Sequence, residues 1–234
     1  MDTLSAPAAV LFDMDGTLVE TEEFWGEALF DLARRRGGEL SAAARAATVG
    51  QSMATSMRIL STDLGLPADE SRERADAGWV QDRVAELMAA GVPWRPGARE
   101  LLAAVRAAGL PTALVTTTAR RLTDLVLGAM GRSFDGRTPF DVTVCGDEVP
   151  ARKPDPAPYL QAAAALGVDV RRCVVVEDSA VGIASGLASG AAVLGVPALQ
   201  AIEPAPGLVL RETLTGLGVD DLAELLTARE TAGR

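Results

Sequence analysis

Two aspartates two positions apart, Asp13 and Asp15, follow the apolar run Val10-Leu11-Phe12 and precede Gly16-Thr17-Leu18. A carboxylate pair with this spacing supports several kinds of chemistry. It can bind a hard cation through oxygen. One member can act as a nucleophile and form an acyl-phosphate, while the other shuttles a proton. A purely structural role competes with these, because Asp before Gly often bonds its own backbone in a turn. A calcium loop fits poorly: it carries its Gly at the sixth position and a Glu near the twelfth, whereas Gly16 is fourth counted from Asp13.

Other chemically capable residues stand in similar places. Thr116 closes Ala113-Leu114-Val115 and opens Thr116-Thr117-Thr118. Glu177-Asp178 closes Cys173-Val174-Val175-Val176. Lys153 lies in Arg152-Lys153-Pro154-Asp155-Pro156, ahead of a helix. Singly, each has an ordinary explanation: a structural threonine, a solvated lysine, a helix start at Glu-Asp-Ser. Short apolar runs bounded by turn residues read as buried strands. In a parallel sheet their carboxyl ends converge on one edge, where ligands bind. There Thr116 offers a hydroxyl donor to a phosphate oxygen, and Lys153 offsets the carboxylates. Asp178 joins Asp13 in an oxygen shell suited to Mg²⁺.

The elements that must position these residues follow from the pattern. Residues 7–18 form the first strand and its loop. Thr21 is placed to cap a helix running to about Arg36, ended by Gly37-Gly38. Ser41 starts a second, short helix. Met53, Met57 and Leu60 mark a third, closed by Gly65-Leu66-Pro67. A fourth runs from about Ala68 to Ala90. This block shows no strand pattern and lies between β-type segments, so it reads as a helical insertion. After Val92-Pro93-Trp94-Arg95-Pro96-Gly97, strand and helix alternate. Strands fall at 113–116, 142–145, 173–178 and 192–196, with a sixth at 208–210. Helices fall at 98–108, 119–130, 156–166, 180–189 and 220–227, with a frayed tail from Arg229. Apolar strands separated by amphipathic helices imply an α/β fold with a parallel sheet covered on both faces.

Composition narrows the function. The 234 residues carry a formal charge of −10, with 22 Lys and Arg against 32 Asp and Glu. That balance argues against a nucleic-acid polymer as partner. The chain has no histidine, which excludes histidine acid–base work, Ser-His-Asp triads and His-ligated zinc. The two cysteines, Cys145 and Cys173, sit in apolar runs and read as small core residues. The N-terminus lacks a basic start followed by an apolar signal core. Residues 179–202 carry no charge, but Gly, Ala, Ser and Pro197 divide them into a helix and a strand rather than a membrane span. A cytoplasmic location without membrane contact is expected.

In this order and at these strand ends, the residues resemble the haloacid dehalogenase superfamily. The branch is the one with a helical cap inserted after the first motif, which includes β-phosphoglucomutase-like and phosphoglycolate-phosphatase-like enzymes. Phe12-Asp13-Met14-Asp15-Gly16-Thr17-Leu18 matches the first motif and Val115-Thr116-Thr117 the second. Arg152-Lys153-Pro154 with Pro156 and Tyr159 matches the third, and Val176-Glu177-Asp178-Ser179-Ala180-Val181-Gly182-Ile183 the fourth. The resemblance implies a Rossmann-like parallel-sheet core, residues 1–20 and 92–234, with an α-helical cap at 21–91.

The resemblance also implies roles. Asp13 would attack phosphorus and form an aspartyl-phosphate. Asp15 would protonate the leaving oxygen, then activate water, with its main-chain carbonyl on Mg²⁺. Thr116 and the amide of Thr117 would hold phosphoryl oxygens, and Lys153 would bridge the phosphate and Asp13. Asp178 would ligate Mg²⁺, with Glu177 as ligand or support. Such transfer depends on in-line placement and neutralised charge, and a closing cap would exclude water.

Within the family, Asp15 suits an alcohol leaving group and so a phosphate ester, against dehalogenases and phosphonatases. Where related mutases carry a cap histidine, counting from Asp13, this chain has Trp25. Where some carry a cap arginine, it has Met53, in Val49-Gly50-Gln51-Ser52-Met53. Both departures favour hydrolysis over mutation. A phosphosugar mutase is the alternative, and a non-catalytic phosphate- or metal-binding regulator a second one. Receiver domains share the acidic cluster, Thr and Lys, but in a different order and without this cap. Substrate contacts are expected from Thr117, Glu20, Glu22, Trp25, Gln51 and Ser52, with Arg58 and Trp79 as further candidates that also read as ordinary cap residues. The partner would be a small phosphorylated metabolite, and a monomer is the simplest expectation.

Overall fold

Ala9-Val10-Leu11-Phe12 is apolar at every position, and all four residues are buried in strand β1 (Ala9–Phe12). A strand without polar alternation is covered on both faces. In the computed structural model, which describes residues 6–49, 51–89, 91–197 and 202–232, β1 sits inside a six-stranded sheet. The other strands are β2 (Thr112–Val115), β3 (Val142–Val144), β4 (Cys173–Glu177), β5 (Ala192–Gly195) and β6 (Leu208–Leu210). Their order is β3-β2-β1-β4-β5-β6, and every pairing is parallel. The order reverses direction at β1, so a crevice opens beyond its carboxyl end. Phe12 pairs with Leu114 on one side and Val176 on the other.

The two-residue period of a strand decides which side chains share a face. Ala9, Leu11, Ala113, Val115, Cys173 and Val175 belong to one core cluster, with Tyr159, Ala162, Ala163 and Ile183 from α7 (Ala157–Leu166) and α8 (Ala180–Ser189). Continuing that parity by two places puts Asp13 and Glu177 on the α7 side. The remaining helices of this unit are α5 (Ala98–Ala107), α6 (Arg120–Gly131) and α9 (Val219–Ala232). Phe12, of opposite parity, meets Phe140 edge-on, with ring centroids 6.3 Å apart.

The chain divides into two compact units, Met1–Glu20 with Pro93–Arg234, and Thr21–Val92. The second unit holds α1 (Glu22–Arg35), α2 (Ala42–Thr48), α3 (Met53–Asp63) and α4 (Glu70–Ala89). Leu29, Leu32, Met57, Leu60, Val80, Val84 and Met88 are among its buried apolar residues. Asp76, 3% exposed, is gripped by Arg36, whose Nε donates to both carboxylate oxygens at 3.1 Å. The Ser41 hydroxyl caps α2 by accepting from the Ala44 amide at 3.1 Å.

Several boundaries depart from expectation. Thr21 stands at the start of α1 without a side-chain cap. A short 3₁₀ turn, Val170–Arg172, precedes β4 and is too brief to leave a periodic signal. α9 continues to Ala232 rather than ending near 227. Gly50 and Ala90, invoked above, lie outside the described residues. Among the described residues no helix is long and apolar enough to cross a membrane. Among the described residues of the uncharged 179–202 stretch, Ala180–Ser189 form α8 and Ala192–Gly195 form β5.

Candidate active site

The Asp13 amide donates to the Val176 carbonyl at 3.0 Å, so the chain stays tied to the sheet one residue past β1. It then turns sharply. Leu18 and Val19 both donate to the Met14 carbonyl, and Gly16 donates to that of Val19 at 2.8 Å. Gly16 has φ +81°, and a Cβ there would lie 2.3 Å from Asp178 Oδ2. Only glycine meets both demands. The turn thereby sets the first motif against the fourth, and Thr17 Oγ1 donates to Asp178 Oδ1 at 3.1 Å.

Lys153 comes from the loop between β3 and α7 and is buried. Its Nζ donates to Asp13 Oδ1 at 2.7 Å, Glu177 Oε1 at 2.6 Å and the Val115 carbonyl at 2.8 Å. An ammonium has three hydrogens, so all are used. The nitrogen also lies 4.9 Å from the centroid of the Tyr159 ring. Burial opposes the charge, yet Asp13 and Glu177 outweigh it and raise the lysine above its ordinary value.

Glu177 was expected as metal ligand or support. Its Oε1 accepts from Lys153 and from the Tyr159 hydroxyl at 2.8 Å. Its Oε2 accepts from the amides of Asp178 and Ser179 and from the Ser179 hydroxyl, between 3.1 and 3.3 Å. A carboxylate offers about four acceptor positions, and the protein engages them. The arrangement suits an anchor for Lys153 at the start of α8 more than a direct ligand.

Asp13, Glu177 and Asp178 bring carboxylate oxygens within 4.8 Å of one another. Burial, then the Glu177 charge, holds Asp13 well above the usual carboxylate range, and Lys153 only partly counters this. The same two causes push Asp178 up to about 7. A buried excess of negative charge with oxygen donors is the environment a small hard cation relieves. The residues therefore fit Mg²⁺, with Asp13 and Asp178 the carboxylates best placed to hold it.

Asp15 stands in different surroundings. Its Oδ2 accepts from the Thr118 hydroxyl at 2.7 Å and from the Thr116 hydroxyl at 3.2 Å. The Thr118 amide in turn donates to Thr116 Oγ1 at 3.0 Å. Thr117 is exposed between them. Asp13, Asp15, Thr116, Lys153, Glu177 and Asp178 are thus brought together at the carboxyl ends of β1, β2 and β4.

The other expected contacts are placed separately. Glu20 Oε2 accepts from Arg95 at 2.8 Å within the first unit. In the second unit, Glu22 Oε1 accepts from Arg45 at 2.6 Å. Trp25 is half-buried on α1 and Gln51 is exposed. Ser52 caps α3 by accepting from the Thr55 amide at 3.2 Å. Arg58 is exposed, and Trp79 carries the Arg35 guanidinium 5.3 Å above its ring. Sequence reasoning missed the partners that lock the cluster: the Tyr159 hydroxyl, Thr17, Ser179 and Thr118. A lone tyrosine in the apolar helix α7 was the available signal for the first.

Comparison with known proteins agrees with this geometry. Residues 7–190 match the haloacid dehalogenase-like hydrolase family. Protein CbbY of Rhodobacter capsulatus is 33% identical over 197 residues, covering 81% of this chain and 85% of that protein. Hexitol phosphatase B of Escherichia coli K12 is 30% identical over 233 residues, covering 95% and 99%. The crystal structure of CbbY from Rhodobacter sphaeroides in complex with phosphate superimposes with a TM-score of 0.74 at 27% identity, covering 91% of this chain and 96% of that one. With a parallel sheet of this order and the four motifs gathered at one edge, the chain belongs to the haloacid dehalogenase-like hydrolases.

Proposed function

We propose that the chain is a Mg²⁺-dependent phosphatase acting on a small phosphomonoester through an aspartyl-phosphate on Asp13. The observation that carries this reading is the contrast between two neighbouring aspartates. Asp13 Oδ1 accepts from the Lys153 ammonium, whereas Asp15 Oδ2 accepts from the hydroxyls of Thr116 and Thr118. The Lys153 ammonium orients Asp13 and supplies positive charge beside it, which suits the attacking oxygen, and the hydroxyl contacts orient Asp15 for proton transfer.

In the first step an Asp13 oxygen bonds to phosphorus as the bond to the leaving oxygen breaks. Asp15 gives its proton to that oxygen, releasing the alcohol. In the second step a water oxygen bonds to phosphorus, its proton passes to Asp15, and the Asp13–phosphorus bond breaks to release phosphate. Lys153 fixes the orientation of Asp13 and supplies positive charge beside the phosphoryl group. Thr116 turns its hydroxyl from Asp15 to a phosphoryl oxygen, and the Thr117 amide supports another. A Mg²⁺ ion held by the Asp13 and Asp178 carboxylates and the Asp15 carbonyl would neutralise phosphate charge. Glu177 acts as the anchor of Lys153.

Residues 21–92 serve as the helical cap in this reading and carry substrate choice. Trp25 and Gln51 are its freest candidates for substrate contact; Glu20, Glu22 and Ser52 combine any such role with the contacts above. The likeness to hexitol phosphatase B favours a sugar or polyol phosphate over a nucleotide.

Phosphate release from a panel of hexitol, hexose, pentulose and nucleoside monophosphates and phosphoglycolate, with Mg²⁺ and then with EDTA, tests the proposal. Mg²⁺-dependent release supports it. Isomerisation of a hexose phosphate without net release would favour a mutase instead, and binding without turnover a regulatory protein.

A further inference from the structure

The Thr118 hydroxyl donates to Asp15 Oδ2 at 2.7 Å, closer than the Thr116 hydroxyl at 3.2 Å. Thr116 is needed elsewhere once a phosphoryl group arrives. Thr118 has no such second duty in the mechanism above. We propose that Thr118 is a positioning residue for Asp15, keeping its carboxyl aimed at the leaving oxygen while Thr116 turns to the phosphate. The inference rests on Asp15 being the proton carrier.

The loop that carries Thr118 is fixed from a second direction. The Gly146 amide, just past β3, donates to the Thr118 carbonyl at 3.0 Å. A Cβ on Gly146 would lie 2.0 Å from the Thr117 carbonyl oxygen, so the two loops touch backbone to backbone. Arg152 Nε donates to the Gly146 carbonyl at 2.9 Å, which ties this contact to the loop of Lys153. The Thr118 amide is also bonded to Thr116 Oγ1. With its own amide and carbonyl both held, Thr118 presents its hydroxyl from a rigid support. A hydroxyl donating to Oδ2 helps set the plane of the Asp15 carboxyl. The proton balance of the reaction is unchanged, since Thr118 keeps its own proton throughout.

A general acid matters most when the leaving oxygen is a poor leaving group. The test therefore compares kcat/KM on an alkyl ester, a hexitol 6-phosphate, with that on p-nitrophenyl phosphate, whose phenolate leaves without a proton. This constant reports only steps up to departure of the leaving group, so later hydrolysis of the phospho-enzyme does not enter. Thr118→Val, close in shape to threonine but without a hydroxyl, should lose about tenfold to a hundredfold on the alkyl ester and under about threefold on the aryl ester. Thr118→Ser should restore the alkyl activity to within about threefold of the parent. Activity on the aryl ester shows that each variant is folded, and Thr118→Ala replaces the valine variant should the latter fail that check. Equal losses on both esters, no loss, or no rescue by serine would overturn the proposal. Asp15→Asn separates the two layers. An alkyl-selective loss there keeps Asp15 as the acid whatever Thr118 does, while equal loss on both esters removes that role and with it the role of Thr118.

Discussion

A Cβ on Gly182 would stand 1.8 Å from Glu177 Oε1. The first turn of α8 therefore wraps directly over the carboxylate that anchors Lys153, and only a residue without a side chain permits it. Gly182→Ala should cost about 1–3 kcal/mol in urea unfolding through overpacking. It should also lower activity, because the carboxylate that must shift is the one holding Lys153 against Asp13. Parent-like stability and turnover in this variant would show that the Glu177 position is not constrained in this way.

Lys153 is a buried cation between two buried carboxylates. Removing one partner of such a group leaves uncompensated charge, which costs about 3–5 kcal/mol. Lys153→Met should show a loss of that order without Mg²⁺. Adding Glu177→Gln removes part of the stranded charge, so the double variant should be less destabilised than the sum of the singles. Urea midpoints of the four proteins read the coupling directly; additive effects would contradict it.

Asp178 predicts a pH dependence. Burial and the Glu177 charge push it up to about 7, whereas an unfolded aspartate titrates near ~3.9. Between those values the folded chain keeps a proton that the unfolded chain has released. Stability of the metal-free protein should therefore fall as pH rises from about 4 towards about 7, then level off. Mg²⁺ competes with that proton, so it should raise Tm more at about pH 7.5 than at about pH 5. Asp178→Asn should flatten the pH slope and abolish most of the Mg²⁺ effect. A Tm shift by Mg²⁺ that is equal at both pH values would count against the assignment.

Much of the architecture was legible because buried parallel strands need no alternation. Val10-Leu11-Phe12 and Cys173-Val174-Val175-Val176 announce themselves as apolar runs, and each stops at a carboxylate where the chain leaves the sheet. Ser41 is legible as a cap because its function is local. The locking contacts are not local. Thr118 meets Asp15 only because β2 pairs beside β1, and Tyr159 meets Glu177 only because α7 crosses the face set by strand parity. Glu177 and Asp178 are adjacent in sequence, yet one has its oxygens filled by donors from the Lys153 loop, α7 and the start of α8. No spacing rule separates an anchor from a ligand in that pair. Glu20 and Glu22 looked available as sequence, whereas each is paired with an arginine distant along the chain.

In the proposed reaction Asp13 carries the phosphoryl group between the two steps. Mixing the protein with a hydrolysed phosphate ester and Mg²⁺, quenching in acid during turnover and weighing the peptides tests it most directly. The peptide containing Asp13 should gain the mass of one phosphoryl group and lose it on chasing with time, and a folded Asp13→Asn variant should show neither adduct nor turnover. Full turnover in that variant, or an adduct on a peptide lacking Asp13, would contradict it.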